Sequence, residues 1–115
     1  MPLPVEKKEV EIYLDRNGNA PFSEWLNNLS DIKGKAKVRE RIARLRLVNM
    51  GDCEVIGEGV SELRIHYGPG YRVYFGQEGK KIVVLLLAGA KRTQKKDIKA
   101  AKQYWKDYKE RANEE

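Results

Sequence analysis

From Val10 to Asp15 the chain reads VEIYLD, apolar and polar residues in turn, the two-residue period of a half-buried strand. After the turn signal Asn17-Gly18 the period changes. Phe22, Trp25, Leu26 and Leu29 recur at i, i+3, i+4 and i+7, a single helical face, and Pro21 suits that helix's first position. Asp31 is placed to cap a second helix running to about Met50 and closed by Gly51. Its apolar stripe is Val38, Ile42 and Leu45, while Lys33, Lys37, Arg41 and Arg44 follow helical spacing on the other side. Residues 51–61, GDCEVIGEGVS, carry three glycines and read as a connector.

Two strands then flank Gly68-Pro69-Gly70, a hairpin signal, and Gln77-Glu78-Gly79 marks a second turn. Ile82 to Ala88, IVVLLLA, is apolar at every position and fits a central strand covered on both faces. Gly89 breaks that run. Thr93 is placed to cap a last helix whose Ile98, Ala101, Trp105, Tyr108 and Ala112 share a stripe, with the final residues fraying. The predicted order is β-α-α-β-β-β-α. This is an α+β fold, a small, twisted, mostly antiparallel sheet with helices on one face, and a single domain over residues 1–115.

The hairpin carries the candidate chemistry. A three-residue loop would pair Tyr67 with Tyr71, Ile65 with Val73 and Leu63 with Phe75, forming a core face. The opposite face would pair His66 with Arg72 and Arg64 with Tyr74. Two arginines, the only histidine and a tyrosine would then share a small wet surface. Like charges placed close on a sheet repel, so stability alone does not ask for this cluster. A solvated face is the plain alternative, and a site built to meet an anion is the sharper one.

Charge strengthens the second reading. Lys and Arg number 23 against 17 Asp and Glu, a net +6, which draws a small domain toward polyanions such as nucleic acid or the ribosome. With 41% hydrophobic and 35% charged residues the chain is expected to be globular. The longest apolar run is too short to cross a bilayer, and the N-terminus lacks a basic start followed by an apolar stretch. Cys53 stands alone, which excludes an internal disulfide and suits a reducing cytoplasm. One histidine and no paired cysteines give no metal site, and no cofactor is expected. A phosphate-binding loop, a dinucleotide fingerprint and a nucleophilic triad are also missing. A cationic face containing aromatics remains. RNA cleavage asks for little more, because the 2′-hydroxyl supplies the nucleophile and the protein orients it and stabilises charge on phosphorus. Arginine's planar fork donates to two phosphate oxygens at once, and histidine exchanges a proton near neutral pH.

The runs GVSELRIHYGPGYRVYF and IVVLLLAGAKRTQKKDI, with the opening DRNGNAPFSEWLNNL, closely resemble the phage-derived Gp49-like, HigB-like branch of the RelE/ParE toxin superfamily. The resemblance covers about residues 8 to 105. It implies a microbial RNase-like fold and a toxin held inactive by a cognate antitoxin, expected to be a helix-turn-helix protein encoded next door. It also implies metal-independent, ribosome-dependent cleavage of messenger RNA in the cytoplasm. By position in the motifs Arg72 would stabilise the phosphate, supported by Arg64, with Arg92 and Lys91 at the transition state or RNA backbone. The tyrosine that often lines such sites near the last helix is replaced here by Thr93, Gln94 and Ile98, which leaves His66 as the candidate base. Further RNA contacts are expected at Tyr74, Lys95, Lys37, Arg41 and Arg44. A ParE-like protein that poisons DNA gyrase, or an inactive antitoxin-binding member, is the alternative.

Overall fold

The computed structural model describes residues 8–46, 53–79 and 82–114. Strand β1 (Glu9–Ile12) leads to helices α1 (Pro21–Asn28) and α2 (Ile32–Arg46). Strands β2 (Cys53–Gly57), β3 (Val60–Ile65), β4 (Tyr71–Glu78) and β5 (Ile82–Ala90) follow, then a 3₁₀ turn at Lys91–Thr93 and helix α3 (Gln94–Glu114). The strands form one sheet in the order β1-β5-β4-β3-β2, antiparallel except where β1 lies parallel to β5. The protein is therefore α+β with a mostly antiparallel sheet and three helices, as expected, but with one strand more than the sequence pattern gave.

The extra strand is β2, expected to be a connector. It reaches β3 through a tight turn in which Gly57, Glu58 and Gly59 all have positive φ (100°, 55° and 83°), a conformation glycine adopts without cost. The expected end of α2, from Leu47 to Gly51, lies outside the described residues. Asp31 caps α2 as expected, its Oδ1 accepting the Gly34 N–H at 2.9 Å. The C-terminal residues, expected to fray, continue α3 to Glu114, whose carboxylate meets Arg16 at 3.2 Å.

The helices do not share one face. Phe22 and Leu26 of α1 and Val38 and Leu45 of α2 pack against Leu63, Ile65, Tyr71, Val73, Phe75, Val83 and Leu85. On the other side Ala101 and Trp105 of α3 pack against Val60, Tyr74, Val84 and Leu86. The uniformly apolar β5 required this, because a strand hydrophobic in both directions needs cover on both faces. A bulge beside Leu86 resets the alternation near the end of β5, so Ala88 returns to the α1–α2 side. Trp105 seats against glycine. A Cβ at Gly76 would stand 2.4 Å from its ring and one at Gly59 2.5 Å from Nε1, so these two positions admit no side chain without displacement of the indole.

Candidate functional site

The hairpin register differs from the expected one by two residues. Ile65 pairs with Tyr71, Leu63 with Val73 and Arg64 with Arg72. The loop is thus five residues, 66–70, closed by the Gly70 N–H donating to the Tyr67 carbonyl at 3.0 Å. A shift of two preserves which residues face the core and changes every partner. His66, expected opposite Arg72, lies beyond the strand and is exposed. Tyr74, expected opposite Arg64 on a wet face, pairs with Glu62 and is fully buried under α3. Its ring cannot stack on a base from outside. Burial, and then the neighbouring Glu62 carboxylate, push its hydroxyl pKa well above the ordinary tyrosine value.

Arg64 and Arg72 do meet, directly across the strand pair, and a buried carboxylate lies with them. Glu62 is fully buried. Its Oε1 accepts from Arg64 Nε at 3.1 Å, and its Oε2 lies 3.6 Å from Arg72 Nε. Gln94, the first residue of α3, donates to Oε2 at 2.9 Å. Arg64 also pairs through Nη2 with Glu54 of β2, and Arg72 donates from Nη1 to the Gly70 carbonyl at 3.1 Å. Each guanidinium is thus approached by Glu62 along its Nε side, and Arg72 retains donors beyond these described contacts. The Arg72 side chain is 12% exposed and that of Arg64 33%, so both sit at the border between the α3-covered core and solvent.

Pairing of Arg72 with Gly89 brings the 3₁₀ turn alongside. A Cβ at Gly70 would lie 3.6 Å from both Arg72 Nη1 and Lys91 Cβ, so Lys91 and Arg92, both exposed, follow directly beside Arg72. The turn is set by Thr93, which donates to Asp97 Oδ2 at 2.6 Å. Asp97 comes so close to Gly89 that any Cβ there would overlap it at 2.0 Å. Thr93, expected to cap the last helix, and Gln94, expected with it only in place of a missing tyrosine, are therefore structural parts of the site.

The remaining cations gather in a groove of about 440 Å³ between α2 and the end of β3, lined by Lys37, Glu40, Arg41, Arg44, Arg64, His66 and Tyr67 among others. Arg64 belongs to both places. The helix-2 cations and His66 line this groove with it, while Lys95 stands exposed on α3. Glu62 and Gln94 are the residues that sequence reasoning missed. The available signal was the strand period, which sets Glu62 on the same face as Arg64 and beside it.

A family model described as "Phage derived protein Gp49-like (DUF891)" matches residues 24–106. The chain belongs to this Gp49-like family. An uncharacterized protein of Haemophilus influenzae (strain ATCC 51907 / DSM 11121 / KW20 / Rd) is 47% identical over 81 residues, which cover 70% of this chain and 82% of that relative. The matched span contains α2, the hairpin, β5 and most of α3, hence every residue of the arginine site. Membership of this RelE/HigB-like family points to a toxin of a toxin–antitoxin pair and so implies an antitoxin partner. No described helix is long and apolar enough to cross a membrane.

Proposed function

We propose that the protein is a ribosome-dependent messenger-RNA endonuclease, the toxin of a type II pair. The observation that carries this reading is the cross-strand pair of Arg64 and Arg72, gripped by buried Glu62 and flanked by Lys91 and Arg92. Two adjacent forks on neighbouring interior strands suit a phosphate whose charge rises during reaction. In the proposed step the substrate 2′-oxygen bonds to the adjacent phosphorus and the bond from phosphorus to the 5′-oxygen breaks. A 2′,3′-cyclic phosphate and a 5′-hydroxyl result, with one proton leaving the nucleophile and one joining the leaving group. Arg72 stabilises the phosphorane with Arg64 behind it, and Arg92 and Lys91 hold the strand. His66, in the groove with Arg64, Lys37, Arg41 and Arg44, is the candidate to take the 2′-hydroxyl proton.

A helix-turn-helix antitoxin from the adjacent gene would cover this cationic surface. The test is single-turnover cleavage of message on programmed ribosomes by purified, folded protein. Fragment ends within codons are expected. Intact message, with DNA damage and SOS induction in expressing cells, would replace this reading with gyrase poisoning.

A further inference from the structure

Lys95, Lys99, Lys102, Lys106 and Lys109 recur along α3 at intervals of four, three, four and three residues, which sets them in one row. At 1.5 Å per residue the row is on the order of 20 Å long. Four are exposed and Lys102 is half-buried. The helix's acidic residues near the sheet are engaged elsewhere. Asp97 accepts from Thr93, and Asp107 accepts from Tyr13 at 2.6 Å and Arg16 at 3.1 Å.

The row has a direction relative to the arginine site. At its start Lys95 follows Gln94, which bonds the Glu62 carboxylate that lies with the Arg64–Arg72 pair. Further along, a Cβ at Gly57 would come within 3.6 Å of Lys102 Nζ, and Trp105 sits on Gly59. α3 therefore runs back along β3 from the arginines toward the β2–β3 turn. Beside that turn lies a groove of about 460 Å³ lined by Lys102, Lys106, Lys109, Gln103 and Glu58.

We propose that this row is a track for the single-stranded RNA whose scissile phosphate lies at Arg72, holding the backbone of the strand as it leaves the site. The inference rests on the endonuclease reading and extends it. Continuity with the arginines favours the reacting strand itself. Composition favours nucleic acid over protein, since lysine is depleted at protein interfaces and the large exposed apolar residues among those described, Ile12, Leu14, Ile32 and Val55, all lie off this helix. A phosphodiester chain asks for regularly spaced point charges and no apolar anchor.

The experiment measures binding of a non-cleavable 2′-O-methyl RNA oligonucleotide, three or ten nucleotides long, across a salt series. For single strands each neutralised phosphate contributes about 0.7 to the slope of log K against log salt. Replacing Lys99, Lys102, Lys106 and Lys109 by Gln is expected to lower the slope on the long oligonucleotide by about 2 to 3 and leave the short one nearly unchanged. The same four positions as Arg restore the slope. An unchanged slope in the folded Gln variant would overturn the track, as would loss of antitoxin binding with RNA binding intact. If the length-dependent affinity moves only with Lys37, Arg41 and Arg44, the strand runs along α2 and the proposal falls. Cleavage on programmed ribosomes, scored separately on wild type, separates this outcome from failure of the endonuclease reading.

Discussion

Arg64 and Arg72 stand opposite one another on β3 and β4, and neither is on open surface. Like charges directly opposed destabilise a sheet, so the pair persists because Glu62 lies between them. Glu62→Gln keeps the shape and removes the compensating charge. Breaking a buried ion pair by deleting one partner costs about 3–5 kcal/mol, and partial exposure of Arg64 puts this case at or below the lower end. Urea denaturation is expected to show that loss, and Glu62→Gln with Arg64→Gln is expected to recover part of it. Stability equal to wild type in the single variant would mean that the carboxylate carries no structural charge.

Arg72→Ala is expected to lower single-turnover cleavage by about 10² to 10³, the scale of losing one preorganised donor to a developing oxyanion. It also removes the cation facing Glu62, so a stability loss of about 1–3 kcal/mol accompanies it. Arg72→Lys separates the two effects. A lysine keeps the charge near Glu62 and cannot reproduce the bidentate fork, so the melt should recover more than the rate does. A wild-type rate in either variant would remove Arg72 from the chemistry.

Tyr71 and Asp31 tie the hairpin to the start of α2, with the hydroxyl donating to Asp31 Oδ2 at 2.7 Å. Burial first, then the bond and charge of Asp31, push the tyrosine up to about 12. Its protonated form is the one favoured by folding, so this contribution is whole below about pH 10 and is lost as pH rises toward 12. Asp31 shifts the other way, lowered by the Gly34 N–H and then by Tyr71. Its contribution is present above the unfolded value of about 3.9 and is lost as pH falls through the lowered folded value. Melts of wild type and Tyr71→Phe should therefore converge in strong base. Wild type and Asp31→Asn should converge in acid.

Gly76→Ala adds one methyl group where the Trp105 ring already lies, 2.4 Å from the new atom. Overpacking of this kind costs about 1–3 kcal/mol or more. Tryptophan fluorescence and thermal melts of Gly76→Ala should show the indole displaced and the midpoint lowered. A mild phenotype would mean that α3 shifts as a unit.

The α+β class, the burial of β5 and the inward set Leu63, Ile65, Val73 and Phe75 were legible from period alone. Register was not. Gly-Pro-Gly marks a turn without stating how many residues precede it, and the five-residue loop moved His66 and Tyr74 to new neighbours. The face that α3 covers was hidden for a related reason. Its stripe of Ala101 and Trp105 states that the helix is buried on one side and says nothing about which side of the sheet receives it. Placing α3 over Arg64, Arg72 and Tyr74 turned an expected wet face into a half-buried one. Glu62 went unassigned because a carboxylate beside arginines reads as surface until a helix is known to cover it.

The edge strand β1 lies beside β5, with Glu9 next to Ile82, and Gln94 reaches back to Glu62. Both closures wait for the last third of the chain. Non-local pairings form late, and synthesis delivers the N-terminal segments first. Glu62 and the two arginines therefore leave the ribosome before Gln94. If the protein acts as proposed, this order of assembly keeps its site incomplete until synthesis is nearly over. A product ended before Gln94 would lack the bond that reaches Glu62 beside the arginines.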